Sequence, residues 1–113
     1  GFLFLVDRVK DMIISGGVNV FPKDIEEVVI KHSAVSEVAV FGIPDEKWGE
    51  IPIAAVIFHK EQNIAAKDLI TWINQRVDAK FQRVADVQVL EDFPRNIAGK
   101  TLKREMRELY VNN

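Results

Sequence analysis

Three places in this sequence carry side chains able to do chemistry. The first is Phe93-Pro94-Arg95-Asn96-Ile97-Ala98-Gly99-Lys100-Thr101-Leu102-Lys103-Arg104-Glu105. It sets Lys100 behind Gly99 at a loop tip, just ahead of a basic helix. An ammonium on such a bendable mount is a compact point charge, suited to stabilising an anionic reacting group. Read as plain surface charge, the same residues break a local rule, because cations at a helix N-terminus are unfavourable by about 0.3–1 kcal/mol. The second place is Gly16-Gly17, inside Asp7-Arg8-Val9-Lys10-Asp11-Met12-Ile13-Ile14-Ser15-Gly16-Gly17-Val18-Asn19-Val20-Phe21-Pro22. Glycines there permit positive φ and close backbone approach. Read alone they are a tight turn between a strand and a helix, and the spacing of a phosphate-cradling P-loop is absent. The third place is Ile43-Pro44-Asp45-Glu46-Lys47-Trp48-Gly49-Glu50. Its adjacent acids read as a solvated turn rather than an acid–base pair. Trp48, beside Gly49, is either a core plug or an aromatic wall for a ligand.

The elements that must position these groups follow from apolar spacing. Phe2–Val6 and Asp11–Ile14 are short strand-like runs, expected to form a separate two-stranded hairpin. Pro22 suits a first helical position. Asp24, Glu26 and Glu27 follow in the first turns, where carboxylates favour the positive end of the helix dipole. Ile25, Val28, Val29 and His32 fall on one stripe of a helix over about 23–32. Val35–Ile43 is a strand. Ile51–Phe58, broken only by Pro52, has too little polar alternation for a half-exposed strand and reads as buried on both faces. Leu69, Trp72, Ile73, Arg76 and Val77 recur at helical spacing over 66–79. Asp86–Leu90 is a short strand. Thr101 is positioned to cap a last helix, whose inward stripe is Leu102, Met106, Leu109 and Tyr110. The fold expected is α+β: a small three-stranded sheet flanked by helices and preceded by a two-stranded β-hairpin.

At 113 residues the chain is one domain with room for a single modest core. Its 48% hydrophobic and 28% charged residues describe an ordinary globular protein. No apolar run approaches the roughly 20 residues of a membrane-spanning helix. The chain has no cysteine, which excludes a disulfide framework, a thiolate nucleophile and a cysteine-based metal site. No metal site is expected, and the composition fits a reducing, cytoplasmic setting. Gly1 is followed directly by an apolar run without initiator Met or signal pattern, so a fragment of something longer is expected. The net charge of -2 hides an asymmetry: between Arg95 and Arg107 five basic residues face one acid, Glu105. A basic end on an acidic body suits an anionic small ligand or partner. Nucleic acid is not expected, since there is no broad basic surface with interleaved aromatics.

The two terminal strings together resemble the C-terminal domain of the adenylate-forming ligases, the acyl-CoA synthetase family. Pro94, Gly99 and Lys100 match the Pro-x-x-x-x-Gly-Lys pattern that precedes a basic helix in that family. The Asp7–Pro22 string, followed by Ile25-Glu26, is similar to its hinge and glycine loop, and the resemblance spans nearly the whole chain. It implies that ATP and Mg2+ are bound mainly by an N-terminal domain this chain lacks, and that a small-molecule carboxylic acid is activated as an acyl-adenylate. Coenzyme A then displaces AMP. The resemblance implies Lys100 as the adenylation lysine, plausibly also an acetylation site, and Lys10 as hinge pivot beside Arg8. It implies residues 1–10 as hinge and hairpin start and 11–113 as a mobile domain. Gly16, Gly17 and Trp48 are implied to line the path of the pantetheine arm. The family's aromatic-Lys-x-Pro-like string is here Phe81-Gln82-Arg83-Val84, which departs at Gln82 and Val84, while Phe81 and Arg83 are implied to meet the nucleotide end of coenzyme A. Two other readings stay open: a non-catalytic α+β binding module, and a related enzyme, luciferase-like or loading a carrier protein.

Overall fold

A computed structural model describes residues 12–77, 80–94 and 103–111, with Phe81 by its backbone alone. The chain begins with strands β1 (Ile13–Ser15) and β2 (Val18–Val20), then helix α1 (Pro22–Val29). Strands β3 (Val35–Asp45) and β4 (Gly49–Phe58) follow, then helix α2 (Ala66–Asn74), a 3-10 turn (Lys80–Gln82), β5 (Asp86–Val89) and α3 (Lys103–Val111). The fold is α+β, as expected. β3 and β4 form a long antiparallel hairpin from Val35↔Phe58 to Asp45↔Gly49. β5 lies parallel to β4, from Ile53↔Asp86 to Val56↔Val89. These three strands are the expected sheet, and the hairpin β1–β2 is joined to it through one register pair, Ser15↔Gly49.

The hairpin differs from expectation in its strands. Its first strand overlaps the expected 11–14 run, and its second is Val18–Val20 across Gly16-Gly17; residues 2–6 lie outside those described. Gly16 and Gly17 have φ of 59° and 80°. Two positive φ values in a two-residue loop make the type I′ geometry, whose twist matches that of the flanking strands. A β-carbon on Gly17 would meet nothing within 4 Å, so backbone conformation, not crowding, selects glycine there. Gly42 is the opposite case: a β-carbon would lie 3.0 Å from Ile13 Cγ1 and 3.1 Å from Glu50 Oε2. The hairpin crosses β3 at that bare spot.

β4 is buried on both faces, as its unbroken apolar run requires. Ala54 and Val56 join Ile25, Val29, Leu69 and Ile73 under α1 and α2. Ile53 and Ala55 join Ala39, Phe41, Phe93 and Met106 under α3. Pro52 is tolerated inside this central strand because its carbonyl accepts from Ala85 N–H on the β5 side. Its missing N–H therefore falls on that side too, in the gap between the β1 pair at Gly49 and the β5 pair at Ile53.

α1 ends at Val29, short of the expected His32. The N–H groups of Lys31 and His32 tighten onto the carbonyls of Val28 and Val29, and His32 Nδ1 accepts from Ala34 N–H at 3.1 Å. α2 ends at Asn74, before the expected 79, with Arg76 N–H tightening onto Ile73 O in a 3-10-type closing turn, and the Asn74 side chain reaches toward β5. It accepts from Val84 N–H at 2.9 Å and donates to Val84 O at 3.2 Å, pinning the approach to β5.

In α3 the expected inward stripe holds for Met106 and Tyr110 but not for Leu109, which is 53% exposed; Leu102 lies outside the described residues. The helix is turned so that Lys103, not Leu109, borders the core. Tyr110 makes an edge-on contact with Phe41 at 6.3 Å and donates to Asp86 Oδ2 at 2.6 Å. That hydrogen bond, with burial and the Asp86 charge, pushes the phenol up to about 12. A raised folded-state pKa stabilises fully below the unfolded value, about 10, and the contribution is lost as pH rises to about 12. Tyr110→Phe is expected to cost about 1 kcal/mol at neutral pH. The gap between wild type and variant in thermal melts should close between pH 10 and 12; a constant gap would show that Asp86 does not hold the phenol.

Candidate functional site

The glycine turn, the Trp48 loop and the 3-10 turn converge on one groove. Ser15, Trp48, Ile51, Lys80 and Arg83 line a cavity of about 190 Å³. The expected turn at Asp45–Glu46 positions Trp48. Asp45 Oδ2 accepts from Lys47 N–H at 3.1 Å and Trp48 N–H at 2.9 Å. Gly49 then takes φ of 85° and feeds the chain into β4. Trp48 O accepts from Gly16 N–H at 2.8 Å, tying the tryptophan loop to the glycine turn. Glu50 adds a second tie, Oε1 accepting from Ile14 N–H at 2.9 Å.

Trp48 is therefore not a core plug. It stands 38% exposed, with Lys47 Nζ 5.1 Å from the ring centroid. Across the groove Lys80 and Arg83 are exposed. The cavity has an aromatic and aliphatic wall, a small hydroxyl and a cationic rim. Such a lining holds a narrow apolar arm and an anionic end together.

Of the residues singled out by sequence, Trp48 and Arg83 line this groove, and Gly16 and Gly17 form the turn bonded to Trp48 O. Val84 has structural work: it is buried in the α1–α2 core and bonded to Asn74. Lys100, Gly99, Lys10 and Arg8 lie outside the described residues, as does the Phe81 side chain. Sequence reasoning missed Lys80, Ser15 and Ile51. Lys80 was findable as a second cation one 3-10 turn before Arg83. Among the described residues no group of three or more His, Asp or Glu side chains is arranged to hold a metal ion. No helix among them is long and apolar enough to cross a membrane.

The domain is thus an α+β sheet with helices on both faces, a glycine turn and a cation-rimmed aromatic groove. Residues 24–100 match the AMP-binding enzyme C-terminal domain, and the chain belongs to that family. It is 46% identical over 110 residues to a long-chain-fatty-acid–CoA ligase, FadD13, of Mycobacterium tuberculosis, covering 97% of this chain and 22% of the relative. A 2-succinylbenzoate–CoA ligase of Bacillus cereus is 41% identical over 109 residues, covering 96% of this chain and 22% of the relative. Among solved structures, ATP-bound MatB from Rhodopseudomonas palustris superposes with a TM-score of 0.84 at 35% identity, over 90% of this chain and 20% of that one. The chain thus spans about a fifth of the length of each protein it matches.

Proposed function

We propose that this chain works as the mobile C-terminal domain of an ATP-dependent carboxylate–CoA ligase. The reaction has two steps. A carboxylate attacks the α-phosphate of ATP, giving acyl-adenylate and pyrophosphate; the thiol of coenzyme A then displaces AMP and leaves a thioester. The observation that carries the reading is the groove between Trp48 and Arg83. Its apolar wall suits the pantetheine arm, its rim of Lys80 and Arg83 suits the phosphates of the nucleotide end, and it adjoins Gly16-Gly17. Lys100 would supply the charge for the first step, and rotation about Lys10, with Arg8 beside it, would exchange the two faces of the domain. ATP and Mg2+ would be held chiefly by the rest of the enzyme, in the cytoplasm. The ligase names of the relatives support this class, and a fatty or an aromatic acid is equally consistent with them.

The test uses the full-length protein. ATP–pyrophosphate exchange is measured with palmitate and 2-succinylbenzoate, and KM for coenzyme A is measured with Trp48→Ala and Arg83→Glu. Exchange with at least one acid is expected, and each substitution should raise KM for coenzyme A about tenfold, a loss of about 1.4 kcal/mol. A protein without exchange activity, or one whose coenzyme A affinity ignores both residues, would favour the rival binding module.

A further inference from the structure

β3 is the outermost strand on its side of the sheet among the described residues. Such an edge offers its backbone groups to any strand able to pair with it. In an antiparallel ladder alternate residues turn N–H and C=O outward. Val40 N–H points away from β4 and donates to Glu26 Oε2 at 2.8 Å, so Val38, Val40, Gly42 and Pro44 are the outward residues. Pro52 agrees with this phase: it stands opposite Gly42 and, having no N–H, gives β3 no bond. The edge is blunted at both ends. Pro44 has no N–H to offer, and the register slips between Val35 and Glu37. Between those limits Val38, Val40 and Gly42 are left with both groups to offer.

That window is complementary to itself. A second copy laid antiparallel, with a two-fold axis beside Val40, would exchange N–H and C=O between the two Val40 residues, and Val38 of each copy would meet Gly42 of the other. Glu26 stands at the centre of this window. α1 packs on one face of the sheet and α3 on the other, so the 2.8 Å contact between Glu26 Oε2 and Lys103 Nζ runs round the edge of β3. One oxygen thus holds the central N–H and is itself held by an ammonium, with the two side chains only 23% and 19% exposed. The cation at the start of α3, unfavourable toward the helix dipole, gains a local cause: it keeps the carboxylate over the edge. A second copy would have to displace that oxygen, and would bring its own Glu26 to the same axis, where like charges repel. We propose that Glu26, held by Lys103, is a stopper on the edge of β3 that keeps this chain from pairing strand to strand with a second copy. Ligase chemistry plays no part in it.

The experiment uses the 113-residue chain. Amide hydrogen exchange on the wild type is read first, by nuclear magnetic resonance. Val40 should exchange about tenfold or more slowly relative to Val38 and Gly42, because only its N–H is held by a charged acceptor. Sedimentation equilibrium then compares variants. Glu26→Ala is expected to self-associate at least about tenfold more tightly than wild type, the net worth of a charge-assisted hydrogen bond, and the Val38 and Gly42 amides should become protected as the dimer forms. Lys103→Met leaves Glu26 its bond to Val40 but nothing to hold it there, and should associate to an intermediate degree. Val38 and Gly42 as protected as Val40 in the wild type would show the edge covered by something else and overturn the proposal. So would a folded Glu26→Ala chain that associates no more than wild type, or a dimer that leaves Val38 and Gly42 unprotected. Should Glu26→Ala fail to fold, Lys103→Met decides: association no tighter than wild type overturns the stopper.

Discussion

Lys100→Ala is expected to slow acyl-adenylate formation by about 10²–10³ in the full-length protein while sparing thioester formation from supplied acyl-adenylate. As the carboxylate attacks the α-phosphate, negative charge collects on the attacking oxygen, the phosphorus substituents and the departing pyrophosphate. A fixed cation aimed there lowers the barrier more than it strengthens ground-state binding, so kcat should fall rather than KM rise. Lysine suits this place as a point charge. Lys100→Arg should recover only part of the loss, because a planar fork presents its charge differently. In the second step charge builds instead on the tetrahedral oxyanion and the departing AMP, and we assign coenzyme A to the Trp48 groove rather than to Lys100. Pyrophosphate exchange and coenzyme A acylation, measured separately, decide the matter. Equal losses in both would remove Lys100 from its proposed role.

Phe41→Ala is expected to cost about 3–5 kcal/mol in folding stability, the range for emptying a fully buried aromatic site. Phe41 is 1% exposed and packs with Ile53, Ala55 and Met106 beneath α3. It pairs in register with Ile53 and meets Tyr110 edge-on. Around it the sheet is rigid on both sides, so the cavity cannot collapse at low cost. For a domain of this size the loss corresponds to a fall in melting temperature of about 13–21 °C. Calorimetry or circular dichroism on the 113-residue chain reads it directly. A shift of only a few degrees would mean that α3 closes over the gap.

Much of this arrangement was readable before any coordinates. The double-sided burial of β4 was visible because eight nearly unbroken apolar residues cannot serve a half-wet strand. The start of α1 was visible because Pro22 and Asp24 are local signals, acting within one helical turn. What escaped were effects decided at a distance. β2 was missed although Val18-Asn19-Val20 mirrors Ile13-Ile14-Ser15 across two glycines; the turn chemistry, not the apolar content, gave the pairing. The link from Asn74 ten residues ahead to Val84, which pins the approach to β5, is one that no periodicity reveals. Leu109 was assigned inward because it is apolar, yet α3 turns Met106 and Tyr110 to the core and leaves Leu109 exposed. In the groove, Trp48 and Arg83 were found through a resemblance. Lys80 was not, because its partners come from three separate segments.

β4 touches β1, β3 and β5 at once. Its parallel neighbour is the last of the five strands in chain order. During synthesis the β3–β4 ribbon therefore emerges with α1 available to one face only, the other face bare, and most of one edge unfilled until β5 follows. The face of Ile53 and Ala55 stays open until α3, residues 103–111, has been made. Lys100 therefore leaves the ribosome while that apolar face is still uncovered.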